Sequence, residues 1–378
     1  LSGWNLGLED TPMLGLVLAA VVGLQDPSGP QTFAVPSVDG YVLNGQVDRP
    51  VGPSRGAVIL VAGTGAFDRD VRFGTSGTPR DLIFADLGQR FAARGLDAVR
   101  YDRRGVRHNV APTQAIDPAA TTGVTAENLS RDVGALYDWT RSPDGLGAQC
   151  VVFFVHSEGG VHLAGVARTD APPPALIIGM GAPLESKAAA VRWQLSGRDA
   201  ESLQLMDADG DGSVTNAEVE ANWMQTPSAV LGTMVPFIQP DGVWTPEDIA
   251  MVETVQAGLY DQTKAAALAQ PDDAPYPNAQ APAFSQGWWK TWFTDDRPLA
   301  EAYAAWGAPM ILHYGEIDSQ VREARQSAAG EGVLNPGQVT FVSHAGRGHT
   351  LGEGVIMGPI DEGIADRIAD EAAAACPG

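Results

Sequence analysis

Cysteine is almost missing from this chain. Cys150 and Cys376 are the only two, with no Cys-x-x-Cys spacing, which excludes a cysteine-ligated zinc site and thioredoxin-like chemistry by count. A single bridge between them stays open. Basic residues are scarce as well: 24 Lys+Arg stand against 46 Asp+Glu, for a formal net charge of -22. Such a chain repels phosphate backbones and anionic lipid, which counts against nucleic-acid or membrane-surface binding as its main function. Cations and neutral molecules are the partners to expect. No apolar run is long enough for a stable membrane span. The stretch 13–24 has the length of a signal-peptide hydrophobic region, yet no Lys or Arg before Arg49 supplies the positive flank. An export remnant and a plain N-terminal core segment are both open, with a secreted or periplasmic location favoured over a cytoplasmic one. Tandem repeats and low-complexity tracts are missing too.

What is present reads as globular. The 378 residues are 44% hydrophobic and 19% charged, near globular averages, so neither disorder nor a disulfide-dense miniature scaffold fits. At about 150 residues per domain the length allows two to three units, or one large domain with an insertion. Residues 33–48 alternate apolar and polar around Asp39-Gly40, which predicts an antiparallel hairpin. Four short apolar runs follow, separated by helix-patterned segments: Ala57-Val-Ile-Leu-Val61, Asp97-Ala-Val-Arg-Tyr101, Cys150-Val-Val-Phe-Phe-Val155 and Ala175-Leu-Ile-Ile178. This alternation predicts an α/β fold with a mostly parallel, doubly wound sheet covered on both faces. Two further strands, Pro309-Met-Ile-Leu-His-Tyr314 and Gln338-Val-Thr-Phe-Val342, come much later.

The intervening stretch has weak strand and strong helix patterning. It predicts a helical cap over 187–296, inserted after the sixth strand, with a core of 33–186 and 297–378 and a separate N-terminal segment 1–32. Much of the acidity sits in the cap: between Asp199 and Asp273 the only basic residue is Lys264.

The strand ending at Val155 runs straight into His156-Ser-Glu-Gly-Gly160 and then a helix-compatible segment. A serine at such a turn is thrust above the sheet, and the glycines after it let the helix approach closely. Ser157 is therefore the candidate nucleophile, and it needs a base and a group to orient that base. Loops at the carboxyl ends of the last two strands supply both, in Gly315-Glu-Ile-Asp318 and Gly346-Arg-Gly-His349. His344 is the rival base and Glu316 the fallback carboxylate. His156 and His162 flank the nucleophile and are expected to pack or to hydrogen-bond to the sheet, and Arg69, Asp70, Arg103 and Arg104 are expected to form salt bridges beneath the site loops.

On these residues the chain resembles the α/β-hydrolase superfamily, and within it bacterial esterases and related serine hydrolases. The resemblance runs from about residue 33 onward, apart from the middle of the insertion. It is carried by Gly63-Thr-Gly-Ala-Phe-Asp-Arg-Asp70, Tyr101-Asp-Arg-Arg-Gly105, His156-Ser-Glu-Gly-Gly160, Gly315-Glu-Ile-Asp318 and Gly348-His349. The segment Trp288-Trp-Lys-Thr-Trp-Phe293 is similar to that family's approach to its acid-bearing strand. The resemblance implies a triad in the chain order Ser157, Asp318, His349. It also implies an oxyanion hole made by the backbone N–H of Thr64 or Gly65 together with that of Glu158. One position departs from the pattern: Val155 stands where the family has glycine, and a β-branched residue crowds the turn.

Within the insertion, Asp207-Ala-Asp-Gly-Asp-Gly-Ser-Val-Thr-Asn-Ala-Glu218 matches the EF-hand loop template. Asp207, Asp209 and Asp211 supply side-chain oxygens, Ser213 its carbonyl, Thr215 a water-mediated contact and Glu218 a bidentate carboxylate, with Gly212 at the sharp turn. Downstream, residues 237–248 align in register, with Gly242, Trp244, Thr245 and Asp248 at positions six, eight, nine and twelve. Phe237 and Gln239 replace two carboxylates there. The segment reads either as an empty partner that pairs with the first loop or as a simple helix N-cap at Thr245.

The sequence thus points to a serine hydrolase that cleaves small carboxylic esters through an acyl-enzyme. Calcium would be structural, with no cofactor required for the chemistry. Trp288, Trp289 and Trp292 either line the substrate pocket or pack. A serine peptidase or amidase on the same fold is the enzymatic alternative, and a calcium-dependent binding protein on that scaffold is the non-enzymatic one.

Overall fold

Short apolar runs build the centre of the molecule. The computed structural model describes residues 30–111, 114–221, 239–276 and 284–377. The apolar stretch 13–24 and Phe237 lie outside the described residues. The strands are β1 (Gln31–Pro36), β2 (Val42–Asp48), β3 (Ala57–Val61), β4 (Asp97–Tyr101), β5 (Val151–His156), β6 (Leu176–Met180), β7 (Val214–Thr215), β8 (Val243–Trp244), β9 (Met310–Gly315) and β10 (Val339–His344). Eight of them form one sheet in the order β1-β2-β4-β3-β5-β6-β9-β10. The pairs β1–β2 and β2–β4 are antiparallel, and every other neighbour is parallel.

Side chains alternate across this sheet, as a two-residue period requires. Ile59, Val61, Phe153 and Val155 face one cluster with the helices Ala126–Arg141, Gly159–Ala167 and Leu299–Trp306. Val58, Leu60, Val152, Phe154, Ile178 and Met180 face the other, with Ile83–Ala93 and Glu362–Ala375. Both faces are therefore buried, which is why β3 and β5 read as continuous apolar runs. Phe153 and Phe154 are fully enclosed, so truncating either to alanine costs about 3–5 kcal/mol. The last helix is tied to the edge of β5 by a disulfide between Cys150 and Cys376.

The segment between β6 and β9 is mostly helical, as predicted. Lys187–Ser196, Arg198–Gln204, Asn216–Ala221, Pro246–Leu268 and Gln286–Thr294 are its described helices ahead of the core helix Leu299–Trp306. Ser186, Thr245 and Ser285 cap three of them through side-chain oxygens. Ala200, Leu203, Met206, Val214, Trp244, Ile249 and Val252 form a small core of their own. At its centre β7 and β8 pair antiparallel, Val214 opposite Trp244. Trp288, Trp292 and Phe293 instead join the main core. Among the described residues no helix is long and apolar enough to cross a membrane.

Candidate active site

The turn after β5 places Ser157 at φ +51°, a left-handed conformation that a non-glycine residue rarely adopts. Two backbone bonds hold it: Ser157 N–H donates to Met180 O at 3.0 Å, and Gly160 N–H donates to Ser157 O at 2.9 Å. The following helix comes so close to β3 that a Cβ at position 159 would lie 2.4 Å from Val61 O. A Cβ at Gly63 would likewise lie 2.9 Å from that of Ser157. Val155 does not prevent the turn. Its side chain is directed into the core at 1% exposure, and it pairs across the sheet with Gly179.

Two loops on the same sheet edge bring Asp318 and His349 together. Asp318 Oδ2 lies 2.8 Å from His349 Nδ1, and its Oδ1 accepts from the backbone N–H of Gln320 at 2.7 Å and of Val321 at 3.0 Å. The pair is buried, at 1% and 2% exposure. Because a carboxylate can only accept, Nδ1 carries the proton, and in the neutral ring the lone pair is therefore on Nε2. Among the described residues, Ser157 Oγ and His349 Nε2 make no hydrogen bond to each other. Gly181, at φ +56°, closes in on the pair: a Cβ there would stand 2.6 Å from His349 Nδ1 and 3.2 Å from Asp318 Oδ2. In the sequence only the place of this glycine just beyond β6, at the sheet edge that carries the site, marks it.

The rival residues lie elsewhere. His344 Nε2 is 3.0 Å from His313 Nδ1, and His313 Nε2 is 2.9 Å from Glu371. Burial, with help from His313, lowers the His344 pKa to about 4. Glu316 accepts from Gly346 N–H at the exposed rim. His156 lies beside His349, with ring centroids 4.9 Å apart. Among the described residues its ring nitrogens have no hydrogen-bond partner, and burial followed by the neighbouring His349 holds its pKa well below the ordinary imidazole value.

The backbone N–H groups of Thr64, Gly65 and Glu158 donate to no protein group among the described residues. Glu158 opens the helix Gly159–Ala167, where unpaired N–H groups and the helix dipole favour negative charge. Its side chain points away into a buried network. Arg103 donates to Glu158 Oε2 at 3.1 Å and to Gly63 O at 2.6 Å, and Trp288 Nε1 donates to Glu158 Oε1 at 2.6 Å. Burial opposes ionisation of Glu158, but the Arg103 charge and bonds from Trp288 and Thr64 hold its carboxyl below the usual range. Arg69 pairs with Asp102, Arg100 with Asp48 and Asp70, and Arg104 with Asp39 and Asp132. Trp288 stacks on Phe284 with centroids 4.1 Å apart and meets Trp292 edge-on, so these aromatic residues pack against one another. A groove of about 920 Å³ bordered by Gly165, Arg168, Lys187 and Asp295 includes none of Ser157, Asp318 and His349.

In the cap, carboxylate oxygens of Asp207, Asp209 and Asp211 lie within 4.8 Å of one another. Asp207 accepts from the backbone N–H of Gly210 at 2.8 Å and of Gly212 at 2.9 Å, and Gly212 adopts φ +88°. Glu218 closes the loop by accepting from Thr215 N–H at 2.7 Å and Ala208 N–H at 3.0 Å. Thr245 and Asp248 repeat the Thr215–Glu218 arrangement, Thr245 N–H donating to Asp248 at 2.9 Å.

No family model matches the sequence, and no curated protein matches it either. Its likeness is to solved structures. An α/β hydrolase, GrgF, from Penicillium sp. sh18 is 15% identical with a TM-score of 0.50, over 92% of this chain and 99% of that one. A proline iminopeptidase from Mycobacterium smegmatis is 15% identical at TM-score 0.50, over 91% and 98%. A highly thermostable carboxyl esterase from Bacillus coagulans is 15% identical at TM-score 0.50, over 92% and 97%. At this identity the likeness establishes architecture: the chain has the α/β-hydrolase fold.

Proposed function

We propose that this α/β-hydrolase-fold chain is a serine hydrolase of carboxylic esters, with Ser157 as nucleophile, His349 as base and Asp318 as its orienter. The observation that carries this reading is the buried 2.8 Å contact between His349 Nδ1 and Asp318, at the sheet edge where Ser157 is held at φ +51°. Ser157 Oγ would attack the ester carbonyl carbon while its proton passes to His349 Nε2. The resulting imidazolium is stabilised by the Asp318 carboxylate. The oxyanion would be received by the N–H groups of Thr64 or Gly65 and of Glu158, each such donor contributing about 2.7–4 kcal/mol to barrier reduction. Collapse expels the alcohol, which takes the proton from His349. Water then cleaves the acyl-enzyme by the same route and releases the carboxylic acid.

The same machinery can expel an amine, and the fold's likeness extends equally to a carboxyl esterase and a proline iminopeptidase. Burst release of nitrophenol from a nitrophenyl ester, set against hydrolysis of aminoacyl anilides, separates the two. Ester turnover without anilide turnover supports the esterase reading, and the reverse overturns it.

The cap loop has the donor set of a calcium site. Asp207, Asp209, Asp211 and Glu218 would supply carboxylate oxygens, Ser213 its carbonyl and Thr215 a water-mediated contact. The pairing of Val214 with Trp244, position eight of each loop, supports the reading of residues 237–248 as a partner loop. Hard oxygen ligands on an exposed cap loop suit a structural ion.

A further inference from the structure

Arg103 and Glu158 are 4% and 2% exposed, and their ion pair lies directly behind the two loops that would bind the oxyanion. We infer that the Arg103 guanidinium is a positioning group that orients both oxyanion donors at once, an inference that rests on the serine-hydrolase reading above with the Thr64 N–H as the first donor. One arm of the fork, Nη1, donates to Gly63 O at 2.6 Å. That carbonyl belongs to the same peptide unit as the N–H of Thr64. A trans peptide is planar, with its C=O and N–H pointing in opposite directions, so fixing Gly63 O on Arg103 turns the Thr64 N–H away from Arg103. The other arm, Nη2, donates to the Glu158 carboxylate at 3.1 Å, the side chain of the residue that carries the second N–H. A guanidinium is rigid and planar. It therefore fixes the distance between the two donors more tightly than separate contacts to each loop would.

The surroundings hold the clamp in place. Arg103 Cζ sits 4.6 Å from the Phe284 ring centroid, Phe284 stacks on Trp288, and Trp288 Nε1 occupies the second Glu158 oxygen at 2.6 Å. Arg103 N–H itself donates to Phe67 O at 3.1 Å. Charge compensation matters as much as geometry. An unpaired Glu158 carboxylate would place a negative charge next to the nucleophile, where the transition state also develops one. Arg103 neutralises it. Loss of Arg103 alone should therefore harm turnover more than loss of both charges.

The test uses the full chain and three variants: Arg103→Lys, Arg103→Met and Arg103→Met/Glu158→Gln. The double variant removes both charges while keeping an acceptor for Trp288. Each is assayed for folding by melting, for kcat and KM on a nitrophenyl ester, for phosphonate labelling of Ser157, and for inhibition by a trifluoromethyl ketone that adds to serine as an oxyanion. The folded double variant should keep KM within about twofold and lose about 10- to 100-fold in kcat, less than removal of a donor outright. Its trifluoromethyl ketone inhibition constant should rise by the same factor. Arg103→Lys, which cannot bridge both acceptors in one plane, should show the same parallel loss at smaller size, and it carries the test if the double variant does not fold. Arg103→Met should be the slowest of the three or fail to fold. Wild-type kcat and ketone affinity in a folded double variant or in Arg103→Lys overturn the inference, as does a fall in kcat with unchanged ketone affinity. A wild-type protein that neither turns over ester nor labels at Ser157 overturns the hydrolase reading itself.

Discussion

Gly181 stands against His349 so closely that a single added carbon would lie 2.6 Å from Nδ1. Its φ of +56° would also cost an alanine about 1–2 kcal/mol. Gly181→Ala should therefore displace the imidazole from Asp318 without removing any reactive group. A misplacement of about 1 Å can cost about a hundredfold in rate. Steady-state kinetics on a nitrophenyl ester should show kcat reduced by about that factor with KM little changed. A folded variant with the wild-type rate would show that the glycine is a turn residue only.

The base assignment distinguishes two histidines. His349→Ala should reduce kcat by about 10⁶ and Asp318→Asn by about 10⁴, the base costing more than the group that orients it. His344 is hydrogen-bonded to His313, whose other nitrogen meets Glu371, so His344→Ala should retain most of the rate. Inactivity of His344→Ala beside an active His349→Ala would reverse the assignment.

Several of these features are visible in the chain before folding, and others are not. The runs around Val61, Val155 and Leu312 announce buried parallel strands because both of their faces are covered. Ser157 and Asp318 follow two of these runs, and His349 follows the half-buried edge strand β10, so each carries a local signal. The choice of Asp318 over Glu316 depends on the backbone N–H groups of Gln320 and Val321, which no pattern reveals. Arg103 and Glu158 are 55 residues apart, and only the meeting of β4 and β5 on either side of β3 brings them together. The Cys150–Cys376 bridge is hidden in the sequence for the same reason, since it depends on where the last helix docks. Val155 was expected to crowd the turn, but its side chain lies in the core and does not meet the chain reversal.

Stability should fall with acidity over a defined window. His156 and His162 are buried and neutral, the first held well below the ordinary imidazole value and the second lowered to about 4 by burial. The unfolded chain binds protons at these rings near pH 6.5 while the folded chain does not. Stability present above about pH 6.5 is thus lost as pH falls toward about 4, by about 1.4 kcal/mol per pH unit for each ring. Half-buried His344, also lowered to about 4, adds a smaller share. Asp97 and Asp132, raised by burial, act in the opposite sense near the acidic end. Calorimetry should show Tm falling between about pH 6.5 and 5. A flat or rising Tm there would contradict the buried neutral histidines.

Calcium should act on stability rather than chemistry, because Asp207, Asp209, Asp211 and Glu218 lie in the cap and the proposed reaction routes no step through a metal. Binding to the folded cap alone contributes about 2.7 kcal/mol at a hundredfold excess over Kd. Chelator should lower Tm and activity at elevated temperature while leaving the low-temperature rate nearly unchanged. Glu218→Gln should melt like the chelated protein and not respond to added calcium. Immediate loss of turnover with unchanged melting would instead tie the metal to the reaction.

The measurement that tests the central claim most directly is labelling with a serine-directed fluorophosphonate, located by peptide mass spectrometry and run beside nitrophenyl ester hydrolysis. One equivalent of label should sit on Ser157. Ser157→Ala should fold normally, take up no label and lose ester turnover. Label on a different serine, or undiminished turnover by Ser157→Ala, would contradict the assignment of Ser157 as the nucleophile.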